Sequence, residues 1–221
     1  MRLQAPGEYF HIYSRGVHKQ TIFEIEADYI RFLFLLLTFQ GKLVIRNIGR
    51  EIKQNVRSRT LNIDVELKKD ILRDRNVELV AFCFMPNHFH LLVRELNENG
   101  ISRYMQRVLT AYAKYFNLRH DKSGYLFQGR YQSVHIDNDR QLMHTSAYIH
   151  KNPAEIGLRG KEDEYPWSSY QDYVGVNRFG DLLAIGIIAD RFSEKENRSD
   201  YRSFVSSSQT KEIKELEVQF K

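Results

Sequence analysis

Two histidines separated by one residue, His88 and His90, open an apolar run that follows the turn-forming dipeptide Pro86-Asn87. Side chains alternate faces along an extended strand, so residues two apart point the same way. His88 and His90 therefore offer two imidazoles to one point while Phe89 faces the opposite layer, an arrangement suited to holding a divalent metal. The plainer reading is that one histidine caps the turn and the other is a hydrogen-bonded, half-buried residue. A second constellation lies on a helical stretch that ends before Pro153. Tyr148 and Asn152 are four residues apart, which puts them on one helix face a turn from each other. An ion held by two imidazoles needs a further ligand, and the Asn152 amide oxygen could supply it with Tyr148 standing alongside. The plainer readings are a helix C-cap for Asn152 and simple core for Tyr148, which also has rivals in Tyr104, Tyr112 and Tyr115 on another helix.

Together these residue types suit attack of a tyrosine hydroxyl on a phosphodiester. A phenol, with an unperturbed pKa near ~10, is a poor nucleophile at neutral pH. An adjacent cation favours the phenolate and polarises the scissile phosphate. The products would be a 5′-phosphotyrosine and a free 3′-OH able to attack back, so strand transfer needs no ATP.

The elements that position these residues can be read from the pattern. Tyr9 to Ser14 is rich in aromatic and β-branched residues and predicts a strand, ended by Arg15-Gly16. Glu24 to Thr38 carries Tyr29, Phe32, Leu33, Leu36 and Leu37 at three- and four-residue spacing and predicts a helix. Residues 42–76 are charged and helix-permissive, with Ile45, Ile48 and Ile52 at helical spacing, and predict a solvated helical insertion. Val77 to Phe84 and His88 to Arg94 are the next two strands, joined at Pro86-Asn87. A long helix follows from about Ile101 to Leu118, with Arg103, Arg107 and Lys114 on its exposed side as a solvated face or as phosphate contacts. Tyr131 to Ile136 is a fourth strand, and Asp139 to Lys151 a helix capped by the preceding Asp137-Asn138.

This order predicts an α/β, ferredoxin-like antiparallel sheet with helices on one face, plus the helical insertion and a C-terminal extension. We expect residues 1–160 to form the core and 161–221 a helical extension packed on it. Within the extension, Tyr165 to Tyr170 predicts an aromatic turn opening a short helix, Asp181 to Phe192 another helix, and 211–221 a charged tail. His11 could approach the site from a neighbouring strand, a structural role being the plainer reading. Arg15 and His18 could bind phosphate, and His144 and His150 are expected at the surface.

The chain has 33 Lys and Arg against 28 Asp and Glu, a surplus that permits a polyanionic partner. Thirteen tyrosines could supply stacking surface for unpaired bases. Cys83 is the only cysteine, so an intrachain disulfide is excluded and a buried thiol in a reducing compartment is expected. No signal peptide is evident in Met1 to Tyr9. The most apolar run, Phe32 to Phe39, is far short of the roughly 20 residues that span a bilayer. A cytoplasmic protein without membrane association is the expectation.

Met85-Pro86-Asn87-His88-Phe89-His90-Leu91-Leu92-Val93 resembles the metal motif of the single-tyrosine HUH transposases. Leu126-Phe127-Gln128-Gly129-Arg130-Tyr131 and Tyr148-Ile149-His150-Lys151-Asn152-Pro153 resemble most closely those of the REP-associated tyrosine transposase branch. The resemblance covers about Tyr9 to Tyr173. It implies nucleophilic attack by Tyr148, metal ligation by His88, His90 and Asn152, and Mg2+ or Mn2+ as cofactor. It also implies single-stranded DNA with adjacent hairpins as partner, with Gln128 and Arg130 as DNA contacts. The chain would act as a monomer or as a homodimer exchanging the tyrosine helix. Two departures stand out: the insertion at 42–76 is long, and Asn152 replaces a glutamine. A relaxase-like nicking enzyme, a DNA-binding protein of the same fold without cleavage, and a zinc hydrolase are the rival readings.

Overall fold

The computed structural model describes residues 6–43, 45–192 and 197–208, so the expected tail over 211–221 lies outside the described residues. Four strands, β1 (Tyr9–Arg15), β2 (Val77–Met85), β3 (His88–Glu95) and β4 (Gln132–Ile136), form one antiparallel sheet in the order β2-β3-β1-β4. The helices are α1 (Glu26–Thr38), α2 (Ile48–Ser58), α3 (Val65–Arg73), α4 (Gly100–Arg119), α5 (Asp139–Lys151), α6 (Tyr170–Val174), α7 (Gly186–Ala189) and α8 (Asn197–Ser207). Strand, helix, strand, strand, helix, strand is the expected ferredoxin-like order, with α2 and α3 supplying the helical insertion between α1 and β2. Among the described residues no helix is long and apolar enough to cross a membrane.

Strand alternation divides the core in two. Phe10, Ile12, Phe82, Phe84, Phe89 and Leu91 project to one side and pack with α1 and α4. Cys83, Met85 and Leu92 project to the other and pack with Ala147, Tyr148 and Ile149 of α5 and with Tyr165, Tyr170, Tyr173 and Tyr201 beyond it. A register shift between Leu79 and Ala81 lets both Val80 and Ala81 join that second cluster. The two helices inside the strand repeat thus share one face, and the opposite face is covered by α5 and the C-terminal segments. β2 is buried along its whole length, which is why Leu79 to Met85 reads as a continuous apolar run rather than an alternating one.

β2 is also an edge strand, and irregular chain from the C-terminal segments satisfies its outer hydrogen-bonding groups. Phe84 N–H donates to Trp167 O at 2.9 Å, Ser169 N–H to Phe82 O at 2.9 Å, and Ala184 N–H to Leu79 O at 2.9 Å. The Tyr165 and Tyr173 hydroxyls donate to Phe84 O and Val80 O at 2.6 and 2.8 Å. This docking corrects the expectation of one helix from Asp181 to Phe192. Leu183 must be extended for Ala184 to reach β2, so only a single turn at Gly180–Leu182 and the short α7 form there.

α1 starts at Glu26 rather than Glu24 because Asp28 caps it. The Asp28 carboxylate accepts from Glu24 N–H at 2.8 Å and Ile25 N–H at 3.1 Å, and from the Tyr115 hydroxyl at 2.8 Å. It also pairs with Arg119, while its own side chain is wholly buried. Asp28→Ala would leave two backbone N–H groups at the entry to α1 and a guanidinium without their acceptor. We expect it to cost about 3 kcal/mol, near the lower end for breaking a buried ion pair because Arg119 keeps Glu24. Chemical denaturation measures this, and a loss below about 1 kcal/mol would contradict the capping role.

Candidate active site

The turn at Pro86-Asn87 sets the first part of the site. His88 pairs with Arg15 and His90 with Tyr13 across β1, so His11, Tyr13, Arg15, His88 and His90 share the sheet face that α5 covers. The His88 and His90 ring centroids are 5.1 Å apart. Asn87 Nδ2 donates to Lys19 O, which turns its carbonyl oxygen to His88 Nδ1 at 2.6 Å. That oxygen can only accept, so the His88 proton sits on Nδ1 and a metal bond would be made through Nε2. Burial, reinforced by the Arg15 charge, lowers the His88 pKa to about 4, against the opposing influence of Glu155 and Asn152. His88 is therefore neutral at physiological pH, as a ligand must be.

α5 brings the second part. The Tyr148 ring stands nearly perpendicular to two imidazoles, with centroids 5.5 Å from His90 and 5.8 Å from His11. One turn later, Asn152 is buried at the junction of α5 with a 3-10 turn, Asn152–Ile156. Its Nδ2 donates to Tyr148 O at 2.9 Å, which directs Oδ1 away from the helix. Oδ1 is buried and accepts no hydrogen bond, although Asn152 lies close enough to His88 to favour that ring's protonated form. A buried carbonyl left without a donor is costly, and a cation relieves that cost. Among the described residues no three His, Cys, Asp or Glu side chains are grouped to hold a metal. The donor set that remains is two imidazoles and one amide oxygen, able to hold a divalent cation loosely and short of the acidic, thiolate or further imidazole ligands of a typical zinc site. Beside Tyr148 opens a cleft of about 510 Å3 lined by Lys151, Asn152, Glu155, Arg159 and Ser206 among others.

A family model described as "Transposase IS200 like" matches residues 50–152, a span that holds both histidines, the tyrosine and the asparagine. A Haemophilus influenzae protein named as a REP-associated tyrosine transposase is 30% identical over 105 residues, covering 42% of this chain and 58% of that protein. Residues 50–152, a little under half of the chain, are similar to the IS200-like transposases. The match thus spans somewhat over half the length of that curated relative. A solved structure of a REP-associated tyrosine transposase bound to a REP hairpin aligns with a TM-score of 0.52 at 16% identity. It covers 79% of this chain and 83% of its own, a likeness of fold.

The other expected site residues separate in the structure. Arg15 lies on the site face, and Gln128 N–H donates to Arg15 O at 2.8 Å, which puts the exposed Gln128 and Arg130 loop beside it. Gly16 makes this junction possible, because a Cβ there would collide with Gln20 O. Arg103 and Arg107 do not join them. They lie on α4, which begins at the far end of β3 from His88 and packs on the opposite sheet face. Arg103 donates to Glu98 O at 2.6 Å. Arg107 donates to Leu43 O at 2.7 Å and to Gly41 O, and stacks on Phe39. Its expected DNA contact is replaced by a role in closing α1.

Tyr104, Tyr112 and Tyr115 are withdrawn from contention because their hydroxyls donate to Leu36 O, Ile22 O and Asp28 in the core of the opposite face. His150 corrects the expectation of a surface residue: it is 0% exposed. Its Nδ1 contacts the Tyr201 hydroxyl at 2.6 Å and its Nε2 the Ser169 Oγ at 2.8 Å, tying α5 to α8 and to the strap along β2. Tyr13 and Glu155 join the site without having been singled out by sequence. Tyr13 sits two residues from His11, and that alternation was the available signal.

Proposed function

We propose that this chain is a metal-dependent single-stranded DNA endonuclease and strand transferase that acts on hairpin-flanked DNA through a 5′-phosphotyrosine. The observation that carries this reading is the Tyr148 ring packed against His90, with Asn152 one turn away on the same helix and its carbonyl oxygen unmet. His88 and His90 through Nε2, with Asn152 through Oδ1, would hold Mg2+ or Mn2+. That ion, when bound, would polarise the scissile phosphate and steady the departing 3′ oxygen.

Tyr148 Oη loses its proton to water and attacks phosphorus, and the departing 3′ oxygen takes up a proton from water. The P–O bond to the 3′ oxygen breaks as the P–Oη bond forms, leaving the 5′ phosphate on the protein and a free 3′-OH. A 3′-OH attacking the phosphotyrosine reverses these bonds and joins strands. Lys151 and Arg159 give the cleft cationic walls for the strand on either side of the reacting phosphate. Lys151 is oriented by Ser206 O and Ser208 O at 3.1 and 2.8 Å. Arg15, Gln128 and Arg130 form a second group of contacts at the other margin. All named catalytic groups come from one chain, so the reading is of a monomer working with its own tyrosine, and a homodimer is not required.

The test is to incubate the protein with end-labelled single-stranded DNA carrying a hairpin, in Mg2+ or Mn2+, and to map any covalent adduct by mass spectrometry. The expected adduct is on the peptide containing Tyr148, with the released strand bearing a 3′-OH. Cleavage that leaves a 3′ phosphate, or that proceeds without any adduct, would refute the reading. His90→Ala is expected to abolish both Mn2+ binding and adduct formation, since a single imidazole and an amide are too weak a donor set.

A further inference from the structure

His11 lies on β1, outside the span matched by the family model, and the function proposed above gives it no task. Tyr13 pairs with His90 and His11 with Leu92, which makes His11 the diagonal neighbour of His90 on the same face. Its Nε2 is 3.0 Å from His90 Nδ1, with the rings stacked at 5.2 Å between centroids. His11 is 2% exposed and its ring also stands nearly perpendicular to that of Tyr148.

A contact between two ring nitrogens holds one proton, so one ring donates and the other accepts. Donation by His11 would leave the His90 proton on Nε2 and disable that nitrogen as a ligand. Donation by His90 leaves a lone pair on its Nε2, the state that Asn87 gives His88 by holding the Nδ1 proton. We propose that His11 is a positioning residue, whose Nε2 accepts the Nδ1 proton of His90 and so fixes the tautomer and ring orientation in which His90 can bind metal. Such outer partners of ligating histidines commonly set affinity by 10–100-fold. A neutral His11 with its proton on Nδ1 presents Nε2 as an acceptor. The assignment rests on the reading of His88 and His90 as a ligand pair.

The experiment compares the full chain with His11→Phe, which keeps a ring in the space, and His11→Gln, whose amide oxygen can accept. Imidazole 15N shifts in the metal-free proteins report the His90 tautomer, calorimetric titration reports Mn2+ affinity, and melting curves report the fold. The parent is expected to hold His90 as the Nδ1–H tautomer. His11→Phe should shift His90 toward Nε2–H and weaken Mn2+ by about 10–100-fold. His11→Gln should recover most of both.

A parent with His90 protonated on Nε2, a His11→Phe variant with unchanged tautomer and affinity, or a His11→Gln variant as impaired as His11→Phe would each overturn the proposal. A parent that binds no Mn2+ yet shows the Nδ1–H tautomer, lost in His11→Phe, would refute the ligand reading while leaving the control of His90 by His11 standing.

Discussion

A Tyr148→Phe variant is expected to fold as the parent does and to form no covalent adduct with single-stranded DNA, its cleavage rate falling at least about a thousandfold. The change removes one oxygen from a buried ring and keeps the ring contacts to His90 and His11. Binding of Mn2+ should persist, because neither imidazole is altered. Persistence of metal binding with loss of the adduct separates a nucleophile from a ligand, which His90→Ala does not. The geometry also names the competitor to watch. Tyr13 stacks on His90 with centroids 5.8 Å apart. An adduct mapped to Tyr13, or cleavage surviving in Tyr148→Phe, would transfer the nucleophile to β1 and sink the assignment of α5.

The second large effect is acid sensitivity. His11 and His150 are buried with their pKa lowered to about 3, and His88 with its pKa lowered to about 4, burial being the leading cause in each case. In the unfolded chain all three take up protons below about pH 6.5. The folded chain does not until pH 3 to 4, so the unfolded state binds more protons throughout that window. Stability therefore rises with pH across it, is fully present above about 6.5, and is lost progressively as pH falls toward 4. At pH 5 each residue contributes a loss of about 2 kcal/mol, or about 6 kcal/mol together, comparable to the whole stability of many domains. Urea denaturation at pH 7 and pH 5 measures this. A change within about 1 kcal/mol would mean that these rings are hydrated or already protonated in the folded protein.

Much of this architecture was legible because it rests on short-range periodicity. Alternation along His88-Phe89-His90 and the four-residue step from Tyr148 to Asn152 are properties of a strand and a helix, and the structure brings the two together. What escaped the sequence depends on long-range pairing. His150 resembles a surface residue on an amphipathic helix, but α5 is covered on that side by Tyr201, which is 51 residues away in the chain. Arg107 resembles a free cation until the end of α1 folds back beneath it. His11 could be aimed at the site only once the β1–β3 register was known, since a one-residue slip would send it to the opposite layer.

The strap along β2 has a consequence for how the chain can be cut. Severing it near residue 160 would strip Trp167, Ser169 and Ala184 from the outer rim of β2 and leave apolar backbone with unsatisfied donors and acceptors facing water. Such a rim recruits strands from other molecules, so the shortened chain would self-associate into insoluble material rather than behave as a smaller nuclease. The C-terminal segments are thus the fold's guard against unwanted strand addition.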